Sequence, residues 1–184
     1  RMAGALPDGW EAAIPDLAEL SLASRQSSQQ VLGALARVIP ELVGGSADLT
    51  GSNGTAISDG GVFGPATSGR RFHWGVREHG MMAAINGMAA HGGFRPYGAT
   101  LLVFLDYCKP SLRLAALMGL PTIAIFTHDS IGVGEDGPTH QPIEHLAMLR
   151  GIPGMVTIRP ADAAETAEAW RATIRRNDGP TALI

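Results

Sequence analysis

Apolar positions along the chain fall into two periods, and the two alternate. Leu32, Leu35, Val38 and Ile39 recur at helical spacing. Ser24 stands before them as a capping hydroxyl and Pro40 after them, which predicts a helix over residues 25–38. Met81, Ala84, Ile85 and Met88 give residues 78–90 an inward helical face, closed by Gly92 and Gly93. Residues 102–118 predict a further helix, kinked or restarted at Pro110. Residues 143–149 predict a short one, and Asp162 with Glu165 makes a capping box for a helix reaching Arg176. Between the helices lie short apolar or β-branched runs at 41–44, 71–74, 94–100, 122–126, 155–158 and from Thr181, which predict strands. Strands alternating with helices imply βαβ units. The fold class expected is therefore α/β: a doubly wound, mostly parallel sheet with helices on both faces.

Composition narrows this further. The chain of 184 residues is 45% hydrophobic and 17% charged, enough for one full-sized domain with a sizeable core. A net charge of −3 gives no footprint for nucleic acid. No signal peptide and no long apolar span points to a membrane. The single cysteine, Cys108, excludes an intramolecular disulfide and fits a reducing compartment, so a cytoplasmic location is expected. Residues 1–22 lack a persistent period and are broken by Pro7, Gly9 and Pro15, so they read as a linker before a domain over 23–184. The chain opens on Arg1 and stops at Ile184 within a strand pattern, which is expected of a piece of a longer protein.

Chemistry concentrates after the 122–126 strand. The loop from Thr127 to Gln141 carries His128, Asp129, Glu135, Asp136 and His140 among Gly132, Gly134 and Gly137. In open α/β sheets ligands bind just beyond the carboxyl ends of strands, so such a loop can aim several side chains at one point. Residues 45–53 form a second glycine-rich polar loop after a strand. His128, His140 and His145 with Asp129, Asp136 and Glu144 could form a metal site, but no His-Glu-x-x-His spacing supports a metallohydrolase. No nucleophile elbow, phosphate loop or dinucleotide fingerprint is present. Glu78 opens a predicted helix and allows two readings. It either suits the helix dipole as the ion, or it is buried and holds a proton near neutrality. Cys108, beside Tyr107 on a helix, reads as a core residue.

Several of these stretches resemble the central domain of transketolase: Gly44-Gly-Ser-Ala-Asp-Leu49, Gly75-Val-Arg-Glu-His-Gly-Met81, His91-Gly-Gly-Phe-Arg-Pro-Tyr97 and the loop Thr127–Gln141. Arg159-Pro-Ala-Asp162 and Asp178-Gly-Pro-Thr-Ala182 match as well, so the resemblance runs from about Ser24 to Ile184. It implies the pyrimidine-type domain of a thiamine diphosphate-binding fold. The implied activity is transfer of a two-carbon ketol unit from a ketose phosphate to an aldose phosphate.

On that resemblance Glu78 is the glutamate that hydrogen-bonds the aminopyrimidine ring of thiamine diphosphate, a catalytic role as well as a binding one. Phe104 is the aromatic residue that stacks on the ring; on helical spacing alone it reads as core. Asp48 is a loop acid near the cofactor. Arg25, Ser52 and His128 are expected to hold the sugar phosphate, Asp136 to recognise a substrate hydroxyl, and His140 to bond substrate oxygens or help move protons near the reacting carbon. His79 and His145 are left as structural. Leu101 departs from the pattern, standing where many transketolases carry another aromatic. No metal ligand is assigned here: Asp59 with Asn86 mimics the spacing of the family's cation motif but lacks its leading glycine and strand. The Mg2+ or Ca2+ and the diphosphate are expected on a missing N-terminal domain, with a second subunit completing a homodimer and a missing C-terminal domain beyond. The isolated chain is expected to be inactive. Dihydroxyacetone synthase, which passes the same unit to formaldehyde, and a non-catalytic dimerisation module are the alternatives.

Overall fold

The computed structural model describes residue 2 and residues 4–184. In chain order the elements are α1 (Ser24–Val38), β1 (Leu42–Ser46), α2 (Thr50–Asn53), the short strands β2 (Phe63–Gly64) and β3 (Thr67–Ser68), α3 (Glu78–His91), β4 (Arg95–Leu101), α4 (Leu105–Leu117), β5 (Ile123–Thr127), α5 (His145–Arg150), β6 (Val156–Ile158), α6 (Ala163–Arg175) and β7 (Thr181–Leu183). Single 3-10 turns lie at Trp10–Ala13, Leu102–Phe104, Ile131–Val133 and Pro138–His140.

Five strands form one parallel sheet in the order β1-β4-β5-β7-β6, and β2 pairs with β3 in a separate antiparallel hairpin. Right-handed crossovers explain which helix lies where. The chain advances in one direction from β1 to β6 and leaves α3, α4 and α5 on one face. The single backward step to β7 sends α6 to the other face, beside α1. Strand alternation serves both layers: Ile123 and Ile125 face the α1–α6 core, while Ala124 and Phe126 face the α3–α4 core. Trp170 is fully buried in the first layer, where its indole Nε1 donates to Ser28 Oγ at 2.9 Å.

Several sequence expectations shift by a residue or a turn. Ser24 does not cap α1 but begins it, and the Ala23 N–H is met by Gln26 Oε1 at 3.1 Å. Residues 71–74 do not form a strand. Arg71 makes only isolated bridges to Gly44 and Val62, and Gly75 at φ +65° turns the chain toward α3 before a ladder can extend. The polar loop over 45–53 closes as α2. On α3 the deeply buried positions are Glu78, Met81, Met82, Ile85 and Asn86, with Ala84 and Met88 only half-buried. Asn86 earns its place there by donating to the Ser111 carbonyl at 2.8 Å, a partner that apolar periodicity does not show. The helix expected from residue 102 opens instead with a 3-10 turn, and α4 then runs through Pro110. Half of the capping box at α6 forms: the Glu165 N–H donates to Asp162 Oδ1 at 2.7 Å, while Glu165 Oε2 accepts from the Ala161 N–H, one residue before the cap, at 2.8 Å.

The stretch read as a linker lies against the domain. Trp10 and Leu17 enter the α1–α6 core, and Glu11 pairs with Arg175 and Arg171. Arg95, buried on β4, donates to the carbonyls of Arg176 and Gly4 at 2.8 and 3.3 Å.

β1 is squeezed from both sides. A β-carbon at Gly44 would stand 2.1 Å from the Tyr97 carbonyl oxygen, and one at Gly45 2.0 Å from that of Phe72. Both obstacles are backbone and cannot swing away. Gly45→Ala should therefore destabilise the fold by about 1–3 kcal/mol through overpacking. Gly33→Ala on α1, where no atom lies within 4 Å, should stabilise it by roughly 0.5–1 kcal/mol. Urea unfolding midpoints of the two variants check the contrast.

Candidate functional site

The carboxyl edge of β1, β4 and β5 carries two neighbouring clusters. The first is a cleft of about 880 Å³ lined by Asp48, Leu49, Glu78, Leu101, Phe104, Tyr107 and His140, among others. Glu78 is the first residue of α3 and only 6% exposed. The free N–H groups of that helix end favour its carboxylate as the ion. No side-chain hydrogen bond or ion pair ties this carboxylate among the described residues. Its charge is felt at Cys108, whose thiol is pushed up to about 12, by burial first and by Glu78 second. Cys108 stays a protonated core residue and donates to the Phe104 carbonyl at 3.6 Å.

Phe104 ends the 3-10 turn that follows β4, and Tyr107 lies one helical turn on. Their rings stand 5.9 Å apart at 30°, and the His140 ring meets Phe104 edge-on at 5.4 Å and 75°. These rings and Leu101 give the cleft an apolar wall. His140 is further held by Thr139 Oγ1, 2.9 Å from its Nδ1. Asp48 comes off β1 with φ +60°, a left-handed conformation that few residues other than glycine, asparagine and aspartate adopt.

Arg25, Ser52 and His128 form the second cluster. Arg25 Nη1 lies 3.5 Å from the Ser52 carbonyl oxygen and 3.4 Å from His128 Nε2. His128 also has a left-handed backbone, at φ +56°. Its pKa is lowered, chiefly by burial and then by the Arg25 cation, with His140 adding to the effect and Asp136 and Asp129 opposing it. The next residue, Asp129, is paired with Arg159, which ties the start of the loop to the end of β6.

The sequence-predicted residues thus divide. Glu78, Phe104, Asp48 and His140 share the cleft, and Arg25, Ser52 and His128 share the second cluster. Asp136 stands exposed on the loop and reaches His128 only through its charge. His145 is buried against Asp106, 3.3 Å away, where it joins α5 to α4. No group of three His, Cys, Asp or Glu residues that could hold a metal ion occurs among the described residues. No helix there is long and apolar enough to cross a membrane. Tyr107 is a cleft residue that the sequence motifs do not mark. Its position three residues after Phe104 at the start of a helix is the signal that places both rings on one side.

A buried carboxylate facing an aromatic wall, at the carboxyl edge of a doubly wound parallel sheet, defines an α/β ligand-binding domain suited to a flat heteroaromatic group. Residues 21–184 match the family model described as "Transketolase, pyrimidine binding domain". The chain is 58% identical over 183 residues to transketolase of Geobacillus stearothermophilus, covering 98% of this chain and 27% of that one. It is 56% identical to transketolase of Bacillus subtilis with the same coverage. Among solved structures, transketolase from Leishmania mexicana superposes with a TM-score of 0.96 at 46% identity, over 99% of this chain and 28% of that one. The chain belongs to the transketolase pyrimidine-binding domain family, and it spans about a quarter of the length of the curated relatives it matches.

The lowered pKa of His128 sets a sign for pH dependence. The unfolded chain protonates this ring more readily than the folded one, so its contribution to stability is full above the ordinary imidazole value of about 6.5 and is lost as pH falls through the folded value. On acidification from about pH 8 to about pH 5, the wild type should lose more thermal stability than His128→Gln, measured as the change in Tm of each.

Proposed function

We propose that this domain supplies the pyrimidine half of a thiamine diphosphate site in a transketolase that moves a two-carbon ketol unit between sugar phosphates. Glu78 carries the reading: a nearly buried carboxylate, first in its helix, with no other side chain claiming it among the described residues. The residues present fit an aminopyrimidine. A flat ring with apolar faces and polar edges needs an aromatic wall and one well-placed hydrogen-bonding group, and Phe104, Tyr107, Leu101 and Glu78 supply them. When bound, thiamine diphosphate would supply the electron sink that amino-acid side chains lack.

The chain's own residues would divide the remaining work. Glu78 would share a proton with a ring nitrogen, since the low dielectric of its surroundings strengthens a charge-assisted hydrogen bond. Phe104, Tyr107 and Leu101 would orient the ring and exclude water. His140, held edge-on by Phe104 and bonded to Thr139, would bond substrate oxygens or carry protons at the cleft mouth. Arg25, Ser52 and His128 would take the phosphate, and Asp136 a substrate hydroxyl. Asp48 would border the cofactor.

We place the diphosphate and its Mg2+ or Ca2+ on an N-terminal domain beyond this chain, contributed by a second subunit of a homodimer. Supporting the partner surface, Val76, Tyr107, Leu114 and Leu117 on or beside α3 and α4 expose 75%, 62%, 49% and 73% of their area. Apolar exposure concentrated on adjoining helices favours a protein partner. The isolated domain would then be inactive, and the whole protein would work in the cytoplasm.

In the complete protein, Glu78→Gln keeps the shape of the side chain and removes its acidity. Two-carbon transfer to an aldose phosphate should fall by roughly 10²–10⁴-fold, the range for acid–base groups, with cofactor still bound. Near-normal turnover in the variant would remove Glu78 from the mechanism. Formaldehyde accepted in place of the aldose phosphate would move the assignment to dihydroxyacetone synthase.

A further inference from the structure

We infer that Asn53 and Thr127 are positioning residues of the anion site: they hold the His128 imidazole with its Nδ1–H on Thr127 and its Nε2 toward Arg25, so that an arriving phosphate is met by a ring that takes up a proton at Nε2. The inference rests on the reading of Arg25 and His128 as phosphate ligands and names the groups behind them.

Asn53 ends α2 and is 1% exposed. Its Nδ2 donates to Thr127 Oγ1 at 2.7 Å, and the same oxygen lies 2.8 Å from His128 Nδ1. Thr127 is the last residue of β5 and is itself buried. Arg25 settles the tautomer. A guanidinium has only donors, so His128 Nε2, 3.4 Å from Arg25 Nη1, must accept. The neutral ring then carries its hydrogen on Nδ1 and donates it to Thr127 Oγ1. That oxygen accepts from two donors, which fills both of its lone pairs. Asn53 Oδ1 is buried without a hydrogen-bond partner among the described residues, so the bond to Thr127 is the one this buried side chain makes there.

The charged and titratable groups around the ring are Arg25, Asp129, Asp136 and His140. Burial and Arg25 keep the ring neutral while no anion is near. A phosphate beside Arg25 and Nε2 offers only acceptors at its charged oxygens, and a neutral Nε2 lone pair would face it unfavourably. A proton taken from solvent onto Nε2 turns the ring into a donor there. Thr127 Oγ1 makes this possible, because it already satisfies Nδ1–H and so leaves no buried donor unpaired in the imidazolium. The left-handed backbone of His128, at φ +56°, keeps the ring reaching back to its own neighbour Thr127 and across to Arg25.

The test is calorimetric titration of the complete protein with inorganic phosphate, in two neutral buffers of different ionisation enthalpy. The difference between them counts protons taken up. The wild type should take up a larger fraction of a proton per phosphate than Thr127→Val, a difference that cancels the ionisation of phosphate itself, as linkage requires of a group whose pKa rises on binding. Thr127→Val, which keeps the shape and loses the oxygen, should lose that excess uptake and bind phosphate roughly tenfold more weakly, the cost of stranding a buried donor. Thr127→Ser, which restores the oxygen, should recover both. Uptake and affinity in Thr127→Val equal to the wild type would overturn the inference. Phosphate affinity indifferent to Arg25→Gln would instead sink the anion-site reading beneath it.

Discussion

The parallel register of β4 and β5 is the constraint on which the site depends. It sets Leu101 opposite Thr127, so both strands end at the same level of the sheet. Beyond Leu101 the chain makes the turn that carries Phe104. Beyond Thr127 it enters the loop that carries His128 and His140. A one-residue slip would reverse the facing of every side chain on β5, exchanging Phe126 and Ile125 between the two cores. Hydrophobic alternation therefore locks the register, and the register in turn brings Phe104 and His140 within 5.4 Å. β1 joins the same edge on the other side of β4, and its glycines let the backbone of residues 70–72 lie close enough to aim the following turn at Glu78.

Electrostatics at this edge work by contrast. Glu78 sits where helix N–H groups favour a negative charge, against an apolar wall that shields it from water. A short distance away Arg25 and His128 stand together, with the imidazole kept neutral beside the guanidinium. One cluster suits a ring with a protonatable edge and the other an anion. Among the described residues, both non-glycine positions with left-handed backbone, Asp48 and His128, occur here. Such conformations cost free energy and persist only where surrounding contacts enforce them, which is why they gather at sites that must present a side chain at a fixed angle.

Asn53 illustrates how the fold holds these groups. α2 is a single turn that would have no stability alone. It is kept in place by Tyr97 and Ser46, which bond the carbonyl and hydroxyl of Thr55 just after it, and by the Asn53 bond to Thr127 across the sheet edge. The loop after β1 and the loop after β5 are thereby tied to each other through side chains.

The α/β class, the alternation of strands and helices, and the glycine-rich polar loops after strands are legible in the residues alone, because they follow from local periodicity and turn chemistry. The sequence also held the motifs that resemble the transketolase central domain. It did not show that of residues 71–74 Arg71 alone makes bridges, because strand formation needs a partner edge long enough to pair with. Nor did it show Asn86 buried on α3 or Trp10 in the core, because both depend on partners far along the chain. Tertiary structure alone decided that Glu78, Phe104 and His140 face one cleft while Asp136 stays outside. It alone placed Arg25 against His128 across 103 positions of sequence. Those distances arise from strand order and crossover handedness, which bring chain-distant loops to one edge and leave no periodic trace in the residues that meet there.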